Sequence, residues 1–152
     1  MALLPIVQEG APVLRQRALP VKRITKRLER LVDDMFETMR EADGVGLAAP
    51  QVGVSERLIV IDVGEGEVAL FNPVIVEARG HDTDLEGCLS IPGKVGYVTR
   101  AEEVVAQGLN RHGRPTEVRA AGLLARALQH EIDHLDGILF IDRATEVHEK
   151  KA

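Results

Sequence analysis

Hydrophobic residues recur at helical spacing in one segment near the start of the chain. They are Ile24, Leu28, Leu31, Val32, Met35 and Met39, and charged residues lie between them. This spacing gathers the apolar side chains on one face, so it predicts an amphipathic helix over residues 25–41. We expect this helix to end at Asp43-Gly44, because glycine readily adopts the left-handed conformation that ends helices.

A second helical pattern covers residues 121–135. Its apolar positions are Leu123, Leu124, Ala127, Leu128, Ile132 and Leu135. They form a stripe wide enough to bury most of a helix, and Asp136-Gly137 follows as a stop. The pattern therefore predicts a buried helix in the C-terminal part of the chain.

Between the two helices, short segments rich in valine, isoleucine and leucine alternate with turn residues, which is typical of strands. The predicted strands cover residues 57–63, 68–71, 74–78, 96–100, 103–109 and 116–119. Gly64-Glu65-Gly66 joins the first two, which we interpret as a trimmed hairpin. Because strands and helices do not alternate regularly, we predict an α+β fold. Its mainly antiparallel sheets would pack around the buried C-terminal helix, with the amphipathic helix near the N-terminus.

The two ends of the chain lack such periodicity. Prolines at positions 5, 12 and 20 predict an extended arm over residues 1–20. Charged residues near the other end predict a short, frayed tail over residues 144–152. With 152 residues, we expect one catalytic domain that spans residues 1–152.

Composition narrows the class of protein. The chain is 45% hydrophobic and 28% charged, which is typical of a soluble globular protein. Its net charge of -5 argues against a broad electrostatic surface for nucleic acid. The start lacks the features of a secretory signal, and no apolar run approaches the roughly 20 residues that span a bilayer. The single cysteine fits a reducing compartment, so we expect a cytoplasmic protein without a membrane partner.

The predicted C-terminal helix carries an HExxH motif, His130-Glu131-Ile132-Asp133-His134. Residues four apart share one helix face, so both imidazoles can bind one metal ion, while Glu131 lies about 100° around the helix. The alternative is a chance pair of core histidines around a glutamate. The motif predicts a metal site without defining the reaction.

A third ligand is not obvious from this motif alone. Related metalloproteases take it from downstream, where the candidates are Asp136, Asp142, Glu146 and His148. None of them has a persuasive spacing. Upstream lies Cys88, the only thiol, which could equally be a small buried hydrophobic residue.

Three separated motifs decide between these possibilities. They read GVGLAAPQ at residues 44–51, EGCLS at residues 86–90 and QHEIDH at residues 129–134. In this order they resemble the peptide deformylases, and the resemblance spans about residues 5–143. It implies an amidase that removes the N-formyl group from the first methionine of nascent polypeptides and releases formate.

The resemblance also implies roles for single residues. Cys88, His130 and His134 would be the metal ligands, and Glu131 would be the catalytic acid and base. Gln51 and the backbone N–H of Leu89 would stabilise the oxyanion. The metal would be one divalent ion, natively Fe²⁺, with Ni²⁺, Co²⁺ or Zn²⁺ able to occupy the site.

The first motif would line the substrate cleft. In this interpretation Val45 and Leu47, with Leu123 and Ala127 on the helix, form an apolar slot for methionine. Gly44 and Gly46 would lie at the same cleft, although glycines in this pattern are also typical of simple turns. The partner is a formylmethionyl peptide or nascent chain. Many relatives continue into a longer terminal helix, so only a transient ribosome contact is expected here.

Two other functions remain open from the sequence. One is an endopeptidase that uses the same motif, and the other is a metal-stabilised binding module without catalysis. Glu86 and Arg100 would either pair and brace the Cys88 loop or lie separately on the surface. His81, His112 and His148 belong to no pattern and are expected to be exposed.

Overall fold

A computed structural model describes residues 2–149, and it confirms the predicted α+β class. The α-helices are α1 (Lys26–Glu41), α2 (Gly122–Leu135) and the short α3 (Phe140–Arg143). The strands are β1 (Gly46–Ala48), β2 (Leu58–Ile61), β3 (Val68–Arg79), β4 (Asp82–Cys88), β5 (Ile91–Arg100), β6 (Glu103–Leu109), β7 (Pro115–Ala121) and β8 (Val147–Glu149). Short 3₁₀ helices lie at Pro12–Arg15 and Ala49–Val52.

The strands form two antiparallel sheets. The larger has the order β1-β2-β3-β6-β7, and the smaller has the order β4-β5-β8. Alternation along β2 separates two cores: Ile59 and Ile61 pack in the cluster that contains α2, whereas Leu58 and Val60 pack in the cluster that contains α1. The larger sheet therefore has α1 on one face and α2 on the other.

Helix α1 begins as predicted but ends differently in detail. The side chain of Thr25 accepts a hydrogen bond from the N–H of Leu28 at 3.3 Å and caps the first turn. At the other end it is Asp43, with φ of 57°, and not Gly44 that adopts the left-handed conformation. Gly44 is needed for another reason, because a Cβ there would lie 2.6 Å from the Cδ1 of Leu89.

The strand predictions were correct in part. The pairs β2-β3 and β6-β7 match the predicted segments, but residues 74–78 are not a separate strand. They continue β3 across Asn72 and Pro73, where a shift in register accommodates the proline. Strands β1, β4 and β8 were missed. Strand β4 offers no apolar alternation, and its first four residues are all exposed.

The ends of the described chain are both docked. In the predicted arm, the N–H of Val7 donates to the carbonyl of Gln51, and the N–H of Glu9 donates to the carbonyl of Ser90, each at 2.7 Å. The predicted frayed tail is wrong for residues 147–149, which pair with β5 as strand β8. Residues 150–152 of that tail lie outside the described residues. Within residues 2–149, no helix is both long and apolar enough to cross a membrane.

Candidate metal centre

The three predicted metal ligands meet between the two sheets. Cys88 is the last residue of β4, and His130 and His134 lie one turn apart on α2. One ligand atom from each residue lies within 4.8 Å of the others, and the Sγ of Cys88 is 3.2 Å from the Nε2 of His134. Two such atoms bound to one ion lie roughly 3.5 Å apart. The three side chains therefore fit one metal ion, and a thiolate with two imidazoles suits iron or zinc.

The alternative downstream ligands lie elsewhere. Asp136 binds Arg57, and Asp142 accepts hydrogen bonds from Arg15 and from the N–H of Leu139. His148 is exposed and lies 3.3 Å from Glu146. His81 and His112 are exposed as well, as predicted.

His130 is held by a buried carboxylate. Its Nδ1 lies 2.8 Å from the Oε1 of Glu86, which leaves its Nε2 to face the site. Arg100 binds both oxygens of Glu86, at 2.6 and 3.0 Å, so the pairing suggested by the sequence is confirmed. Burial acts to raise the pKa of Glu86, but the hydrogen bonds from His130 and Arg100 lower it to about 2.

The sequence analysis missed Arg126, a second buried partner of Glu86. Its NH1 group lies 2.6 Å from the Oε2 of Glu86. Arg126 stands between Ala125 and Ala127 on α2, and only 8% of its surface is exposed. A charged residue within a short run of buried alanines was the available signal, since buried arginine is rare without a partner.

The surroundings of the ligand set are negative. Burial acts to lower the pKa of His130, but Glu131, Cys88 and Glu86 outweigh it and raise this pKa to about 10. The pKa of His134 is lowered well below its usual value, first by burial and then by the charge of His130. This environment favours one positive charge among the three ligands, and a divalent cation would satisfy the same requirement.

Glu131 lies beside the ligands without a protein partner of its own. It is 4% exposed, and its Oε1 has no hydrogen-bond partner among residues 2–149. Burial raises its pKa to about 7, and the charge of His130 opposes this shift. A carboxyl group with such a pKa can both accept and donate a proton near neutral pH.

Gln51 is oriented toward the sulfur. Its Oε1 accepts a hydrogen bond from the N–H of Ala48 at 2.9 Å, so its amide NH₂ must point the other way. That group lies 3.5 Å from the Sγ of Cys88 and 3.1 Å from the Oγ of Ser90. Leu89 directly follows Cys88 in the turn between β4 and β5 and lines the same cavity. Both predicted oxyanion donors therefore lie next to the ligand set.

A cavity of about 640 Å³ opens onto these groups. Its walls include five of the six predicted pocket residues: Gly44, Val45, Gly46, Leu123 and Ala127. Leu47 is the exception and corrects the prediction. It is fully buried in the core beside α1, because alternation along β1 turns its side chain to the opposite face of the sheet. Leu85, Leu89 and Val95 also contribute to the apolar part of the wall.

Comparison with known proteins agrees with this geometry. The family model for polypeptide deformylase matches residues 3–150. A peptide deformylase from Pelotomaculum thermopropionicum is 58% identical over 97% of this chain and 95% of its own length.

Solved structures agree as well. The crystal structure of peptide deformylase from Thermotoga maritima is 43% identical, with a TM-score of 0.93 over 96% of this chain and all of that one. A peptide deformylase from Synechococcus elongatus, solved in complex with actinonin, is 46% identical, with a TM-score of 0.91 over 94% of this chain and 79% of that one. Since sequence and fold agree over nearly the full length, the chain belongs to the polypeptide deformylase family.

Proposed function

We propose that this deformylase holds one divalent metal ion with Cys88, His130 and His134 and uses Glu131 to move the proton. The enzyme removes the N-formyl group from the N-terminal formylmethionine of nascent polypeptides and releases formate. The observation that carries the assignment of residues is the meeting of Cys88 with the two imidazoles beside the buried Glu131, at the cavity.

Membership of the family supports Fe²⁺ as the native ion, and the donor set is equally compatible with Ni²⁺, Co²⁺ or Zn²⁺ as substitutes. Imidazole and thiolate bind all of these ions, and a thiolate adds one full negative charge that moderates Lewis acidity. A formyl carbon carries only hydrogen beside its amide and is the least hindered acyl carbon, so a moderated ion is adequate. When bound, the ion supplies Lewis acidity to a carbonyl group and lowers the pKa of water.

Glu131 is positioned to act as acid and base. Its carboxyl group accepts the proton of the attacking water and then returns it to the departing amine, which leaves a free N-terminus. The raised pKa of about 7 matches both steps near neutral pH. Because its Oε1 has no other partner among residues 2–149, no protein hydrogen bond competes for that proton.

Gln51 and Leu89 are positioned to stabilise the oxyanion. Attack on the formyl carbon places negative charge on the carbonyl oxygen, and the Gln51 amide and the Leu89 N–H both lie beside Cys88. Gln51 is preorganised, since its other end is fixed by Ala48. The pair therefore offers two donors beside the ligand set, and the Gln51 amide would exchange its contact with Cys88 or Ser90 for the oxyanion.

The methionine side chain would lie against the apolar wall of the cavity. Val45 and Leu123 both line the cavity and are 42% and 55% exposed, so their side chains are accessible to a substrate. Ala127 lies deeper on α2, and its small side chain leaves room for a long, flexible thioether. Gly44 and Gly46 also line the cavity, and their missing side chains leave room for Leu89 and Glu131 beside the substrate.

The proposed location of the enzyme follows from its substrate. A formylmethionyl chain occurs while a polypeptide is being made, so we propose that the enzyme acts in the cytoplasm on nascent chains. Its contact with the ribosome would be transient. No basic surface for specific nucleic acid readout is required for this reaction.

The test is formate release from formylmethionyl peptides by protein prepared without oxygen, beside Glu131→Ala. Metal content is measured in both proteins, so that loss of the ion is distinguished from loss of the carboxyl group. We expect formate from the parent and at least about a hundredfold less from the variant at equal metal content. Cleavage of internal peptide bonds would indicate an endopeptidase. If the fully metallated parent protein neither releases formate nor cleaves internal peptide bonds, the result would favour a binding module without catalysis.

A further inference from the structure

Arg126 is a buried arginine that the reaction itself does not use. It lies on α2 one turn before His130, and it donates to three acceptors on other elements. These are the Oε2 of Glu86 at 2.6 Å, the carbonyl of Val98 at 2.9 Å and the carbonyl of Asp82 at 2.8 Å. Arg126 also lines the cavity.

The contact with Glu86 completes a fully occupied carboxylate. Its Oε2 accepts from Arg126 and from the Nε of Arg100, each at 2.6 Å. Its Oε1 accepts from Arg100 at 3.0 Å and from the Nδ1 of His130 at 2.8 Å. A carboxylate offers about four acceptor positions, so each position has a donor. Removing Arg126 leaves one acceptor position of the Oε2 without a donor, so that Arg100 alone would then hold the carboxylate against His130.

The two backbone contacts connect the halves of the metal centre. Asp82 lies on β4, the strand that ends in Cys88, and Val98 lies on β5, its partner in the hairpin. Arg126 belongs to the helix that carries both histidines. Arg126 therefore joins the support of the thiolate to the support of the imidazoles. Of the two histidines, His130 is the one with a carboxylate partner, since the Nδ1 of His134 has no partner among residues 2–149.

We propose that Arg126 is a positioning residue for the metal centre, which holds Glu86 against His130 and holds the Cys88 hairpin against α2. This inference rests on the proposed metal site. It assigns Arg126 no contact with the reacting atoms. Its effect on metal binding passes through Glu86 and through the two backbone carbonyls.

A matched arginine in the same fold separates positioning from general stabilisation. Arg57 also docks against α2, where it donates to the carbonyl of Leu135 at 3.0 Å and to Asp136 at 2.9 Å. Its side chain is 12% exposed, close to the 9% of Arg126. Arg57 touches no ligand of the site and no partner of a ligand in the described chain. Arg57→Met is therefore the control for Arg126→Met.

The experiment measures the binding of Co²⁺ to the metal-free proteins. The dissociation constant is obtained by competition with a chelator, and the absorption spectrum reports the geometry of the thiolate and imidazoles around the ion. Thermal unfolding of the metal-free proteins is measured alongside. The kcat and KM of the metal-loaded proteins are measured as well.

For Arg126→Met we expect a Kd for Co²⁺ raised about 10-fold or more and a shifted spectrum. Arg57→Met should lower the unfolding temperature and leave the Kd and the spectrum unchanged. An unchanged Kd and spectrum for Arg126→Met would overturn the proposal, and so would equal weakening by the two variants. Failure of the parent to bind Co²⁺ would instead overturn the metal site on which the proposal rests.

A second variant covers the case in which Arg126→Met does not fold. Arg126→Gln can still donate to a backbone carbonyl but lacks the charge that binds Glu86. A weaker Kd in folded Arg126→Gln supports the proposal, and a Kd equal to that of the parent overturns it.

Discussion

Gly46 lies so close to Glu131 that a Cβ at residue 46 would be 2.5 Å from the Oε2 of that carboxylate. Strand β1 therefore forms one wall around the carboxyl group of Glu131, the proposed acid and base. Glycine is required there by space, since its φ is not in the left-handed region. The sequence analysis placed Gly46 at the substrate cleft, with a simple turn as the alternative. The structure shows that it belongs to a strand that closely approaches the side chain of Glu131.

Gly46→Ala should displace Glu131 while leaving the metal ligands in place. We expect kcat for formate release to fall at least about 10-fold, because a base moved by about 1 Å loses its alignment. Gly87→Ala is the comparison, since its new Cβ would meet its neighbours at an ordinary 3.6 Å and should cost less activity. Similar losses in both variants at equal metal content would contradict this role of Gly46.

Gln51→Ala should remove an oxyanion donor. Loss of one such donor typically costs about 100-fold to 1000-fold in kcat, so we expect an effect in that range with the metal content unchanged. Ser90→Ala removes the hydroxyl that lies 3.1 Å from the Gln51 amide but keeps the amide itself, so its effect should be much smaller. Activity of Gln51→Ala within a few-fold of the parent would show that the amide does not meet the oxyanion.

Cys88→Ser should abolish stable metal binding, because a serine hydroxyl is a poor ligand for an ion that prefers thiolate. The loss of affinity should exceed the roughly 10-fold to 100-fold that is typical of outer-shell changes. Elemental analysis of the purified protein measures it. His148→Ala is the control, since that imidazole is exposed and lies beside Glu146, which is not one of the proposed ligands. Retention of a full complement of metal in Cys88→Ser would exclude the cysteine as a ligand.

The ion pair between Arg15 and Asp142 should give a pH-dependent stability. The hydrogen bond from Arg15 lowers the pKa of Asp142, so this carboxylate stabilises the folded state above its unfolded pKa of about 3.9. The contribution is lost as the pH falls from there through the lower folded value. Because both side chains are partly exposed, we expect about 1 kcal/mol or less at pH 7.

A double-mutant cycle of Arg15→Met and Asp142→Asn measures that coupling by chemical denaturation at several pH values. The coupling energy should be present at pH 7 and should fall toward zero below the folded pKa of Asp142. A coupling energy that stays constant across this range would mean that the pair does not act through the charge of the carboxylate.

The strongest parts of the sequence prediction were those with a regular pattern. Helices α1 and α2 and the pairs β2-β3 and β6-β7 carry apolar residues at the spacing that burial requires. The ligand set was found because each of its members belongs to a short motif. The structure brings two of these motifs together, since Cys88 and His134 are in contact although they lie 46 positions apart in the chain.

What the sequence did not provide depends on contacts between distant segments. Strand β4 is polar and is held by β5, so its own residues carry no periodic signal. Leu47 was assigned to the pocket because its neighbours line it, but strand alternation turns it into the other core. Arg126 has three acceptors that lie 28 to 44 positions away, which no local pattern could reveal.

The sulfur and nitrogen ligands are supplied by different layers of the molecule, with Cys88 on the small sheet and both histidines on the helix that covers the large one. A bound ion would therefore also act as a cross-link between these layers. Its binding energy would add to the free energy of unfolding, as for any ligand that binds only the folded chain. Removing the ion would then lower the stability of the fold as well as the activity. Resistance to proteolysis would therefore report whether the metal is bound, without any substrate.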